Sequence, residues 1–326
     1  MTLFSHLKRS ALIAGTFLLT SMSASLAQDF PNKPITLMIP YPPGGSADML
    51  ARPIAAQMQK DLGQTVIIDY KPGAGGTIAS AQLTRSKPDG YTVLMVLAAH
   101  AINHSLYQKL PYDTETDFVP VTQLASLPLI VATSKKAKFN DIASLIDYAK
   151  KNPGEITYAS AGNGNTSHLA VELFAIATDT KLTHVPYSGS GPAVVAMLSN
   201  EVDLMFDSIS TSLPHIKDKK LNALAVTSKE RASVSPDTPT VQEAGVKDYD
   251  VNGWYGIIAP KGTPDEVVQS LQKAFTKAAQ NPEIKKQLND FGYEVVASSS
   301  ADFKQLISDE IKKWKVAIDK SGAKVQ

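Results

Sequence analysis

Ile35-Thr36-Leu37-Met38-Ile39-Pro40-Tyr41-Pro42-Pro43-Gly44-Gly45-Ser46-Ala47-Asp48-Met49-Leu50-Ala51-Arg52 decides the fold class. Residues 35–39 are an apolar run that reads as a buried strand. After the turn, Leu50, Ile54, Met58 and Leu62 recur at helical spacing. The stretch is therefore a strand, a tight Gly-rich turn and a helix start. Such a turn gathers unpaired backbone N–H groups and the positive end of a helix dipole at one point, an arrangement that receives anions.

The same alternation continues along the chain. Strands are expected at 35–39, 66–70, 91–97, 129–133, 157–161, 182–186, 203–207, 221–227, 251–259 and 293–296. Helices are expected at 47–62, 77–84, 142–151, 167–178, 192–199, 264–280, 282–291 and 301–320. This βαβα order predicts an α/β protein with largely parallel sheets. Pro192, Pro264 and Pro282 suit first helical positions, and Gly63 and Gly292 suit C-terminal caps. Residues 118–133 and 248–260 are long extended segments with no helix inside, and they read as two crossings between domains. Domain 1 would then be residues 28–124 plus 255–326, and domain 2 residues 125–254.

The first 27 residues differ from the rest. Lys8 and Arg9 precede an apolar run from Ala11 to Leu19, and Ser25-Leu26-Ala27 places small residues where a signal peptidase reads. A secretory signal peptide at 1–27, cleaved after Ala27, is expected. The chain has no Cys, hence no disulfides and no lipid-anchoring cysteine. Its formal charge is +1, and loss of Lys8 and Arg9 leaves −1. That balance offers no attraction to nucleic acid or to an anionic membrane. The 43% hydrophobic content is ample for two cores.

Gly-rich turns before helices recur four times: Gly44-Gly45-Ser46, Gly73-Ala74-Gly75-Gly76, Gly162-Asn163-Gly164-Asn165-Thr166-Ser167-His168, and Tyr187-Ser188-Gly189-Ser190-Gly191. Ligands of open α/β sheets bind outside the carboxyl ends of the strands, where all four turns lie. A cleft lined from both domains is expected. Its candidate ligand contacts are Tyr41, Gly44, Gly45, Ser46, Asp48, Ala99, His100, Gly162, Thr166, Ser167, His168, Tyr187, Ser188, Gly189 and Asp207. Asp48 equally suits dipole stabilisation in the first turn of its helix.

Signatures of other chemistries fail. Ile78, Ser167 and Val194 stand where a third Gly of Gly-x-Gly-x-x-Gly belongs, and no Gly-Lys-Ser/Thr exists. No Ser sits in Gly-x-Ser-x-Gly. His100 and His104 are four apart, but without Cys or His-Glu-x-x-His they do not make a metal motif. No cofactor, metal or catalytic residue is expected.

Pro42-Pro43-Gly44-Gly45-Ser46-Ala47-Asp48 with Ala51-Arg52 resembles the first signature of the Bug proteins, the TctC family of extracytoplasmic receptors of tripartite tricarboxylate transporters. Lys71 to Gly76, Pro88-Asp89-Gly90-Tyr91-Thr92, His184-Val185-Pro186-Tyr187 with Ser188-Gly189, Leu224-Ala225-Val226-Thr227 with Arg231, Pro239-Thr240 and Glu243-Ala244-Gly245 continue the pattern. The resemblance implies a two-domain periplasmic-binding-protein-like fold whose cleft closes, by two crossing hinge strands, on a tricarboxylate, dicarboxylate, acidic amino acid or aromatic acid. It implies binding by backbone groups rather than by a strong cation. A periplasmic monomer handing ligand to membrane transporter subunits is expected. The alternatives are a secreted α/β enzyme acting on a small organic acid, and a sensor subunit of a signalling system.

Overall fold

A computed structural model describes residues 30–321; the expected signal peptide lies outside them. In chain order the elements are β1 (Ile35–Ile39), α1 (Ser46–Leu62), β2 (Val66–Tyr70), α2 (Thr77–Leu83), β3 (Thr92–Leu97), α3 (Ala99–Leu106), β4 (Phe118–Thr133), α4 (Ile142–Lys151), β5 (Thr157–Ser160) and α5 (Thr166–Thr178). There follow β6 (Thr183–Pro186), α6 (Ser190–Leu198), β7 (Leu204–Ser208), α7 (Ile209–Lys217), β8 (Asn222–Val226), β9 (Asn252–Pro260), α8 (Asp265–Gln280), α9 (Pro282–Asp290), β10 (Glu294–Val295) and α10 (Ser300–Ser321).

β1 forms as read, because alternate residues find apolar partners on both faces. Ile35, Leu37 and Ile39 join a core with Leu50, Ile54 and Met58 of α1 and with Leu271 and Phe275 of α8. Met38 points the other way, into a core with Ile102 and Leu106 of α3 and with Phe303, Ile307 and Trp314 of α10. The sheet is thus covered on both sides. α1 stops at Gly63, whose left-handed φ of 64° lets its N–H reach the Gln59 carbonyl.

The strand order is β2-β1-β3-β9-β4-β7-β5-β6, with β8 and β10 also pairing to β4. β1 runs parallel to β2 and β3, and β5 runs parallel to β6 and β7. The expectation of a largely parallel sheet is modified where β4, β8, β9 and β10 enter antiparallel. β4 is the join. Residues 118–128 pair with β9, residues 129–133 pair with β7 on one edge, and residues 130–133 pair with β8 on the other. The two long extended segments are therefore one antiparallel ribbon running through the middle of the sheet.

Two helices escaped the sequence reading. α3 starts at Ala99, and its N-cap Ala98 provides no side-chain cap; α7 carries Pro214 and three hydroxyl residues in its nine. Both are held by burial: Ile102 and Leu106 in one case, Ile209 and Leu213 in the other. Pro282 does open its helix, whereas Pro264 caps its helix from one residue before, and Pro192 is the third residue of α6.

Candidate functional site

The turn after β1 is braced by Asp48. Gly44 adopts a φ of 84°, a conformation glycine reaches without Cβ strain. Its N–H donates to Asp48 Oδ2 at 2.8 Å. The Tyr70 hydroxyl donates to the other Asp48 oxygen, and the Arg52 guanidinium lies 2.8 Å from that oxygen. Burial pushes the Asp48 carboxyl up, but Tyr70, the Gly44 N–H and Arg52 together outweigh it and hold it below the usual range. Asp48 therefore keeps its charge and shapes the turn. It does not line the cavity beyond, and neither does Gly44.

Past this brace, Gly45, Ser46 and Ala47 open onto a cavity, at the end of α1 where N–H groups have no intrahelical acceptor. Asn165, Thr166 and Ser167 bring in the N-terminus of α5, and Gly189, Ser190 and Gly191 that of α6. Ser208, the N-cap of α7, and Ala98, the N-cap of α3, complete the convergence. No lining residue carries a formal charge. Each helix start acts as roughly half a positive charge, so the cavity favours an anion without any Lys or Arg. Leu129, Gly253, Trp254 and Tyr255, from β4 and β9, form the remaining wall.

The two sides of the cavity meet. Asn165 Nδ2 donates to the Tyr41 hydroxyl at 2.9 Å. Burial drives the Tyr41 phenol well above its ordinary pKa, so it stays protonated. Tyr293 donates from its hydroxyl to the Ser46 carbonyl at 2.6 Å and sits 3.2 Å from Ser210 Oγ, tying α1 to α7. A Cβ on Gly189 would come 3.1 Å from Pro42 Cδ on the opposite wall. The cavity measures about 30 Å³, room for about two waters.

Of the residues picked from sequence, Tyr41, Gly45, Ser46, Thr166, Ser167 and Gly189 line this cavity. Gly162, Tyr187 and Ser188 line a larger outer groove of about 430 Å³. That groove also holds Gly73, Ala74 and Gly75 of the second turn, and Tyr41 borders both spaces. The second turn thus faces the third outside the inner cavity. A Cβ on Gly75 would fall 2.8 Å from the Asn163 carbonyl.

His168, Asp207, Ala99 and His100 sit elsewhere. His168 stacks on His184 at 4.1 Å, and its Nδ1 accepts from the Gly164 N–H at 3.3 Å. It supports the third turn from behind, and burial lowers its pKa to about 4. Asp207 is fully buried at the end of β7. Its Oδ2 accepts from the Thr211 hydroxyl and from Ser212 Oγ, the latter at 2.6 Å. Burial raises its pKa to about 6 against those hydrogen bonds. It holds the start of α7 and does not reach the cavity surface. Ala99 and His100 border a separate space of about 10 Å³.

The sequence reading missed Asn165, Ser190 and Gly191, although each stood inside a quoted turn. Ser208 was missed with α7 itself. Trp254 and Tyr255 were read as crossing-strand residues, and their strand indeed crosses, but along the cavity wall. Among the described residues no group of three or more His, Cys, Asp or Glu could hold a metal ion. No described helix is long and apolar enough to cross a membrane.

Residues 50–323 match the family model described as the tripartite tricarboxylate transporter family receptor, TctC. The chain belongs to the TctC receptor family. BugT of Bordetella pertussis is 33% identical over 98% of this chain and 100% of its own length. R. palustris Rpa4515, solved with adipate, is 34% identical, with a TM-score of 0.88, covering 91% of this chain and all of that one. MatC from Rhodopseudomonas palustris, solved with bound malate, is 32% identical with a TM-score of 0.85, covering 89% of this chain and all of that one. The α/β periplasmic-binding-protein fold expected from sequence is thereby established for this TctC receptor, and with it membership of the Bug group.

Proposed function

We propose that this TctC receptor captures a small organic carboxylate, of the dicarboxylate class foremost, in the periplasm. It then presents the ligand, as a monomer, to the membrane subunits of a tripartite tricarboxylate transporter. The convergence of helix N-termini on a cavity without formal charge carries this reading. The malate and adipate held by its relatives are small dicarboxylates, and the same chemistry suits these turns. In this reading residues 28–124 with 255–326 form one jaw, and residues 125–254 the other. The jaws part by bending at β4 and β9. A cavity of about 30 Å³ admits a dicarboxylate only when they do. Gly45, Ser46 and Ala47 hold one carboxylate, and Thr166, Ser167, Ser190 and Gly191 receive the other end on closure. No catalytic step is needed: Ser160 and His184 lie 2.6 Å apart, but Ser160 is fully buried and shares its oxygen with the Gly162 N–H.

The test is a thermal-shift and calorimetry screen of the purified protein against dicarboxylates, tricarboxylates, aromatic acids and neutral sugars. A ligand of the closed form at 100 times its Kd stabilises by about 2.7 kcal/mol. Stabilisation by a neutral sugar and by no carboxylate would sink the proposal.

A further inference from the structure

Asp207 has a buried carboxyl one residue before Ser208 of the cavity wall. Its Oδ2 takes the Thr211 and Ser212 hydroxyls, but its Oδ1 has no hydrogen-bond partner. A buried carboxylate oxygen left bare is costly. Two further groups bear on this carboxyl: the Ser190 hydroxyl and the Ser208 backbone N–H. Ser190 and Ser208 both line the cavity, at the starts of α6 and α7. The acid therefore stands behind the two residues that face an incoming anion.

The groups acting on Asp207 from α6 and α7 are all neutral: Ser190, Thr211, Ser212 and the Ser208 N–H. From β4, Ile130 lies opposite it. The phenols of Tyr255, in β9, and Tyr293, before β10, also feel its charge, and burial keeps both protonated. Beyond Tyr293 is Asp48, whose charge is met by Arg52.

The proton on Asp207 decides what the wall can offer. When ionised, Asp207 draws the Ser190 O–H and the Ser208 N–H to itself. A serine hydroxyl has one proton to give, so Ser190 then has none for a ligand. The charge also sits at the start of α7 and offsets that helix's attraction for a second anion. When protonated, Asp207 carries its own O–H donor and frees Ser190 to donate into the cavity. Burial already biases the acid this way, with a pKa of about 6. An anion in the cavity biases it further, because like charges disfavour one another at a buried site.

We propose that Asp207 is a positioning residue that takes up a proton as the cavity takes up a carboxylate, so that capture tightens in mildly acidic surroundings. This rests on the carboxylate reading of the cavity.

Calorimetry of the purified protein with malate, adipate, citrate and benzoate tests it, at stepped pH and in buffers of different ionisation enthalpy. With an acid that binds, the parent should take up close to one proton per ligand at about pH 7. Its Kd should rise by up to about tenfold per pH unit above about pH 6. Asp207→Asn should take up no such proton, and its Kd should change with pH only through the ligand's own ionisation, which cancels in the ratio of the two proteins. Ser190→Ala removes one bond that holds the acid's pKa down. The pH at which affinity starts to fall should therefore move upward, whatever the affinity itself becomes. If Asp207→Asn does not fold, the proton count of the parent and the midpoint of Ser190→Ala decide. Binding without proton uptake, an equal pH slope in parent and Asp207→Asn, or an unmoved midpoint in Ser190→Ala would overturn this proposal and leave the carboxylate reading standing. Failure of all four acids to bind would overturn both.

Discussion

The Asn165 side-chain amide donates to the Tyr41 hydroxyl at 2.9 Å, joining residues 124 apart in the chain. The same Asn165 accepts from the Ser167 N–H at 3.0 Å and so caps α5. One side chain therefore orients a helix start toward the cavity and latches that helix to the opposite wall. Tyr41→Phe removes the latch and leaves a buried amide unsatisfied, while the cap survives. Loss of such a bond costs about 1–2 kcal/mol. Carboxylate Kd should rise about 5- to 30-fold by calorimetry. An unchanged Kd would mean that the latch does not hold the bound form.

Gly45 and Gly189 separate ligand contact from closure. Gly45 has φ −88° and ψ 176°, open to any residue, and a Cβ there meets only the Pro42 carbonyl at 3.9 Å. Gly45→Val should keep the melting temperature within a few degrees and weaken carboxylate binding at least about tenfold, by obstructing the N–H groups of α1. Gly189 instead faces Pro42 across the gap at 3.1 Å. Gly189→Ala should weaken binding by opposing closure. Small-angle scattering with saturating ligand should show a larger radius of gyration than in the parent. Normal affinity in Gly45→Val would remove α1 from the site.

Asp207 makes stability depend on pH in a defined direction. Its folded pKa of about 6 lies above its ordinary 3.8. The fold thus favours the protonated carboxyl, a contribution fully present below about pH 4 and lost as pH rises through 6. Asp207→Asn has no such group. The stability of the parent relative to this variant should fall by up to about 1.4 kcal/mol per pH unit between about 4 and 6, then level off. Urea denaturation of both proteins at stepped pH measures this difference, in which the buried histidines cancel. A difference constant with pH would show that Asp207 does not titrate in this range.

Trp254 should report binding. It lines the cavity proposed to take the carboxylate, while Trp314 does not. Both indole N–H groups are held by Glu310 Oε2, at 3.2 and 2.8 Å. These are the two tryptophans of the sequence. A bound carboxylate should change the emission of the parent and of Trp314→Phe, but not of Trp254→Phe. An equal response from Trp254→Phe would place the ligand elsewhere.

The strand–turn–helix from Ile35 to Leu62 was legible because three signals agreed there: an apolar run, a glycine turn and helical spacing. α7 was not, because Ser210, Thr211 and Ser212 are weak helix formers and Pro214 argues for a break. What stabilises that helix lies outside its own propensities: Asp207 receives the hydroxyls, and Ile209 enters the core that also holds Ile35 and Leu50. The site divides along the same line. Glycines and hydroxyls at turns were visible in one dimension. That Asp48 would serve the turn rather than a ligand depended on Tyr70, 22 residues on. The Tyr41–Asn165 latch depended on closure of the whole chain.

The strand order β3-β9-β4 has a consequence for how the chain assembles. β5 to β8 and the end of β4 come from one continuous stretch, and they can complete their pairing as soon as residue 226 is made. The other half cannot. Its central strand, β9, is the last long strand in the sequence, and β3 and β4 present open edges until it arrives. The C-terminal quarter of the chain is thus the keystone of the N-terminal half. Truncation before residue 252 would leave β1, β2 and β3 without the strand that joins them to the rest.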